Sequence, residues 1–139
     1  MKKYKIGYTT GVFDMFHIGH LNILKRAKEQ CEYLIVGVST DELVLSEKSK
    51  KTIIPFENRM EIVRAIRYVD MVVPQYNKNK LEAWEKYQFN CMFVGSDWKG
   101  SVAWKKIEDE LCPKGVDIIY FDYTEGVSST ILRDKLIKE

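Results

Sequence analysis

The chain has 139 residues, 45% of them hydrophobic and 30% charged, the balance of one globular domain large enough to bury a single core. A net charge of +2 is too small to make nucleic acid the main partner, and no apolar run is long enough to span a membrane. No signal-peptide pattern opens the sequence. The 3 cysteines, Cys31, Cys91 and Cys112, stand far apart without a CxxC pair, so reduced thiols and a cytoplasmic location are expected.

The predicted elements alternate between strand and helix. A short β-rich run from Ile6 is broken at Gly11 and Asp14, and a helical pattern begins at about Ile18 with Leu21, Leu24, Ala27 and Cys31. Tyr33–Val38 reads as a strand of the fully buried, parallel type. Ser39, Thr40 and Asp41 read as a turn or cap, and residues 46–52 as a polar, lysine-rich stretch. Pro55 suits the first turn of the next helix, whose apolar side carries Met60, Val63 and Ile66. Met71–Val73 is a short strand, and Leu81, Trp84 and Tyr87 mark a third helix. Cys91–Val94 is a strand ended by Gly95; Trp104, Ile107 and Leu111 mark a helix closed by Pro113 and Gly115. Val116–Phe121 is the fifth strand, and a last helix runs from about Ser128 to Ile137. This alternation predicts a single α/β domain over residues 1–139, a Rossmann-like, doubly wound, five-stranded parallel sheet with right-handed crossovers. Ligands of such sheets sit beyond the carboxyl ends of the strands. The turns at His17, at Gly95 and at 124–130 are therefore expected on one edge.

The stretch Ile6–His20 carries the strongest chemistry. A strand that feeds a helix through a tight, glycine-containing turn leaves backbone N–H groups free at the helix start, a site for phosphate. Both histidines of the chain, His17 and His20, lie there, three residues apart, and would share a face in a helix. Gly19 between them lets a ligand approach the backbone. Imidazole can donate to phosphate oxygens. The alternatives are a simple helix cap and a zinc site, though no cysteine or third histidine lies nearby to complete the latter.

The stretch Gly11-Val12-Phe13-Asp14, continuing to His17-Ile18-Gly19-His20, resembles the His-x-Gly-His signature of the cytidylyltransferase branch of the nucleotidyltransferase superfamily. Three further stretches strengthen the likeness. Arg67-Tyr68-Val69-Asp70 resembles the family's Arg-Tyr-Val-Asp signature. Gly95-Ser96-Asp97-Trp98-Lys99-Gly100 resembles its Gly-Asp-Asp-Trp-Glu-Gly loop, with Ser96 in place of an acid. Thr124-Glu125-Gly126-Val127-Ser128-Ser129-Thr130 resembles the end of its Arg-Thr-Glu-Gly-Ile-Ser-Thr signature, with Tyr123 where the family has arginine. That last departure removes a permanent cation from the phosphate site.

The resemblance implies roles for these residues. His17, His20, Lys48, Lys50 and Arg67 would be catalytic, the lysines on a loop that closes over phosphate and Arg67 at a homodimer interface. Thr10, Gly11, Phe13, Asp14, Gly19 and Arg59 would contact the nucleotide, with Gly95, Asp97 and Trp98 on its sugar and base. Thr124, Glu125, Gly126, Ser128, Ser129 and Thr130 would hold the β- and γ-phosphates at a helix start. Asp14 is the carboxylate best placed to orient a histidine or a metal, and Mg²⁺ would ride mainly on the phosphates. Read without the family, each stretch has a plainer reading. The lysines are then a solvated loop, Arg59 and Arg67 surface ion-pair partners, Trp98 core, Asp97 a turn former, and Ser128 or Ser129 only a cap. The implied reaction is CTP plus an alcohol phosphate, glycerol phosphate foremost, giving a CDP-alcohol and pyrophosphate. Transfer to choline, ethanolamine or other polyol phosphates, adenylyl transfer from ATP, and a nucleotide-binding module without turnover stay open.

Overall fold

The computed structural model describes residues 2–122. Five parallel strands form one sheet in the order β3-β2-β1-β4-β5: β1 (Tyr4–Gly11), β2 (Cys31–Ser39), β3 (Met71–Gln75), β4 (Cys91–Gly95) and β5 (Asp117–Phe121). Strand β1 lies at the centre, with Thr9 opposite Val36 on one side and Phe93 on the other. The switch in winding direction falls between β1 and β4, so the edge beyond Gly11 and Gly95 is where a ligand crevice forms.

The strands are apolar on both faces because helices cover both. Leu34, Val36, Val38, Cys91 and Phe93 face α1 (Ile18–Gln30) and α3 (Phe56–Arg64), meeting Leu24, Ala27 and Val63. Tyr8, Ile35, Val73 and Met92 face α4 (Lys80–Tyr87) and α5 (Val102–Leu111), meeting Trp84, Trp104 and Leu111. Neighbouring residues of one strand thus feed two cores, which is why no polar alternation is visible in β2 or β4.

Three local expectations need correction. A short helix, α2 (Asp41–Lys48), fills the stretch expected to be turn and loop. Its signals are local: Thr40 caps Leu43 N–H at 3.1 Å, and Asp41 and Glu42 sit in the first turn. Only Leu43 and Val44 are buried, too few to make a periodic stripe. Cys31 belongs to β2 rather than to the helical face of α1, since its backbone is already extended and paired beside Tyr4. Strand β3 runs on through Pro74 to Gln75. Proline is tolerated there because β3 is an edge strand and its outer N–H side has no partner to lose.

Candidate active site

The turn from β1 into α1 is held in an uncommon backbone shape. Phe13 and Met15 both have left-handed φ, 56° and 50°, a conformation that costs a non-glycine residue about 1 kcal/mol or more. Gly11 is required beneath it, because a Cβ there would come within 2.9 Å of the Phe13 ring. His17 then caps α1. Its Nδ1 accepts from Gly19 N–H at 3.0 Å, while His20 Nδ1 accepts from His17 N–H at 3.1 Å. The rings stack with centroids 4.0 Å apart, and Phe13 and Phe16 pack on His20 at 5.4 and 5.2 Å.

That geometry fixes the chemistry of both rings. With each Nδ1 occupied as an acceptor, the neutral imidazole carries its proton on Nε2, so the pair presents two N–H donors. Burial pushes the His17 pKa below its ordinary value of 6.5. Burial also pushes His20 down, to about 4, aided by the neighbouring His17 and opposed by Asp14. Both rings are therefore neutral at pH 7. Stacked, backbone-tied rings with no third ligand do not fit a zinc centre: among the described residues no group of three His, Cys, Asp or Glu could hold a metal.

Asp14 is 3% exposed, and its two oxygens accept from the backbone N–H groups of Ile53 and Ile54, each at 2.8 Å. Both oxygens of this carboxylate are thus engaged by consecutive backbone amides. Arg59 is likewise turned inward. It is 0% exposed and donates to Ile54 O at 2.9 Å, Val12 O and Ser39 O at 2.7 Å each, and Asp41 at 2.5 Å. It is a strut between three segments rather than a nucleotide contact. Burial works against ionisation of Asp41. The bonds from Thr52, Arg59 and Phe56 N–H outweigh it and hold that carboxyl below its ordinary range.

The pattern of the sequence did not single out Lys80, which stands where β3 gives way to α4. It is 6% exposed, with Nζ donating to Thr10 Oγ1 at 3.0 Å and Gln75 Oε1 at 2.6 Å. Gln75 in turn donates to Ser39 Oγ at 2.8 Å. None of these partners is an anion, and burial, then the charge of Lys78, pushes its pKa down to about 7. Ser39 and Gln75 end β2 and β3, and Thr10 is the last residue but one of β1, so this cation, with no anionic partner among the described residues, lies at the carboxyl edge of the sheet. It also lines a cleft of about 330 Å³ between α4 and α5, with Lys78, Leu81, Lys106 and Ile107. In one dimension Lys80 looks like its solvated neighbour Lys78; only the folded chain separates them.

The other expected residues divide. Gly95 ends β4 at the same edge, followed by a 3-10 turn, Ser96–Trp98, in which Asp97 and Trp98 are exposed and Lys78 lies 6.0 Å from the Trp98 ring. Trp98 is therefore not core. Lys48 closes α2, and Ser49, Lys50 and Lys51 follow it in exposed positions, with Ser49 left-handed at φ 54°. Arg67 lies just before β3, at the amino edge, with its guanidinium on Tyr68. The histidine turn of its own chain lies at the opposite, carboxyl edge of the sheet. Tyr123, Thr124, Glu125, Gly126, Ser128, Ser129, Thr130 and the last predicted helix lie outside the described residues.

The chain matches the cytidylyltransferase-like family over residues 8–135. It belongs to that family. It is a nucleotidyltransferase, as the sequence signatures implied. It is 39% identical to the glycerol-3-phosphate cytidylyltransferase of Bacillus spizizenii over 90% of this chain and 92% of that one. It is also 43% identical to the FAD synthase of Pyrococcus abyssi, over 63% of this chain and 60% of that one. In fold it is similar to a lipopolysaccharide core biosynthesis protein of Thermoplasma volcanium, with a TM-score of 0.71 at 21% identity over 87% of this chain and 97% of that one. No described helix is long and apolar enough to cross a membrane.

Proposed function

We propose that this nucleotidyltransferase moves CMP from CTP to a small alcohol phosphate, glycerol phosphate foremost, giving CDP-glycerol and pyrophosphate. An oxygen of the acceptor phosphate attacks the α-phosphorus in line, the bond to the oxygen bridging to the β-phosphorus breaks, and pyrophosphate leaves. The acceptor is already ionised near neutral pH, so no strong base is needed. The observation that carries the reading is the locked imidazole pair. Two neutral N–H donors that need no rearrangement suit oxygens whose charge grows in the transition state.

In this reading His17 and His20 donate to the triphosphate, and Lys48 and Lys50 close on it from the arm. Lys80 receives the acceptor phosphate, which supplies a counter-charge that its described partners, Thr10 and Gln75, do not. Gly95, Asp97 and Trp98 receive the nucleoside, and residues 124–130 the far phosphates. Mg²⁺ travels with the triphosphate, and no step is assigned to it. The protein acts as a cytoplasmic homodimer through Arg67–Pro74, where Arg67 serves the site of a second copy; a monomer mass by light scattering at micromolar concentration would overturn that part.

The deciding experiment is pyrophosphate release with CTP or ATP across glycerol, choline, ethanolamine and other polyol phosphates. Release with CTP and glycerol 3-phosphate is expected. The likeness to an FAD synthase supports a second reading, adenylyl transfer, and turnover with ATP alone would select it. Tight CTP binding with no release under every acceptor would make the chain a binding module.

A further inference from the structure

The lysine arm is tied down at one end only a few residues from its lysines. Residues 45–51 are all exposed, whereas Thr52, Ile53 and Ile54 are each bonded to a distant part of the chain. Thr52 Oγ1 donates to Asp41 at 2.7 Å, and Asp14 takes the amides of Ile53 and Ile54. Ile54 is held on both sides, since its carbonyl accepts from Arg59, which also grips Val12 O in the histidine turn. The other end of the arm leaves α2 through a left-handed Ser49.

We propose that Asp14 is a positioning residue: it fastens the arm beside the histidine turn, so that Lys50 closes on the same phosphates that the two imidazoles hold. Asp41 and Arg59 complete the fastening. Asp14 precedes His17 by three residues, and Ile53 follows Lys50 by three. Three residues of chain reach at most about 10 Å, so this tie sets how far Lys50 can stray from the imidazoles. A loose arm would have to find the ligand again at each turnover, and the tie removes much of that search.

The inference rests on the nucleotidyl-transfer reading, and its test has one arm that does not. Asp14→Asn keeps the shape of the side chain but leaves one amide without its carboxylate acceptor. Hydrogen exchange at the Ile53 and Ile54 amides is expected to quicken about tenfold or more, and tryptic cutting after Lys48, Lys50 or Lys51 to quicken with it, on the scale of a lost charged hydrogen bond. Unchanged exchange and cutting would overturn the proposal whatever the enzyme's activity.

In turnover, Asp14→Asn is expected to raise the KM for CTP or lower kcat by about tenfold in the native background. It should add less than about twofold once Lys50→Ala is present, because the two act as one unit. Effects that multiply independently would overturn the proposal. So would a tenfold rise in the Mg²⁺ needed for half-maximal rate, which would make Asp14 a metal ligand after all. Thr52→Val removes one tie without touching the histidine turn. It should move exchange and its coupling to Lys50→Ala in the same direction, and it decides the matter if Asp14→Asn does not fold.

Discussion

The two edges of the sheet are built to opposite rules. At the amino edge polar groups meet complements within the chain. Tyr4 donates to Asp117 at 2.6 Å, Ile6 N–H to Asn90 Oδ1 at 2.9 Å, and Asp70 accepts from Leu34 N–H at 2.8 Å while pairing with Lys28. At the carboxyl edge the same strands end in a lysine buried with no anionic partner among the described residues, two imidazoles kept neutral by burial, and a turn with two left-handed residues. One edge spends its polar groups on stability; the other holds charge and hydrogen-bonding capacity in reserve for something that is not part of the chain.

The comparison can be broken most sharply at the histidines. His17→Ala or His20→Ala should lower turnover by about 10²–10³-fold, the scale for losing one preorganised donor, while circular dichroism shows a folded protein. A near-native rate in either variant would return the pair to simple capping. Lys80→Met comes next. It should weaken acceptor use by about tenfold or more, yet leave thermal stability undiminished at pH 7, since the cost of burying the cation offsets its bonds to the neutral Thr10 and Gln75. A lower melting temperature would show that the lysine belongs to the stabilising class instead.

Acid should expose the same reserve. His20 has a folded pKa of about 4 against an ordinary 6.5, so between those values the unfolded chain binds more protons. The contribution is intact above pH 6.5, is lost as pH falls toward 4, and does not worsen below. Thermal unfolding between pH 7 and 4 should show the decline, and His20→Gln should blunt it. Lys80 works the same way at higher pH: its folded pKa of about 7 lies below the ordinary 10.5, so stability rises with pH between those values, and Lys80→Met should flatten that rise. The smallest expected effect lies at the other edge. Asp70→Asn should cost about 1 kcal/mol in a denaturant titration, discounted for partial exposure.

Much of this was legible in one dimension because it depends on local patterning. Alternating apolar strands and amphipathic helices imply a doubly wound sheet, which the fold has, and a strand, a glycine and two histidines three residues apart imply a turn into a helix start, which is where both histidines stand. Helix α2 escaped because its signals are two buried residues and a cap, below the length at which periodicity can be read. Asp14 and Arg59 were assigned to ligands because their residue types fit, but their partners are backbone groups many positions away, which no spacing encodes.

Family, fold class and the position of the histidine turn follow from residues that act on their neighbours in the chain. The burial of Lys80, the inward turn of Arg59 and the fastening of the arm by Asp14 were decided only when β1, β2 and β3 brought their ends together. Desolvation and hydrogen bonding at those places depend on what surrounds a group in space, and a side chain's neighbours in space are the product of packing rather than of order along the chain.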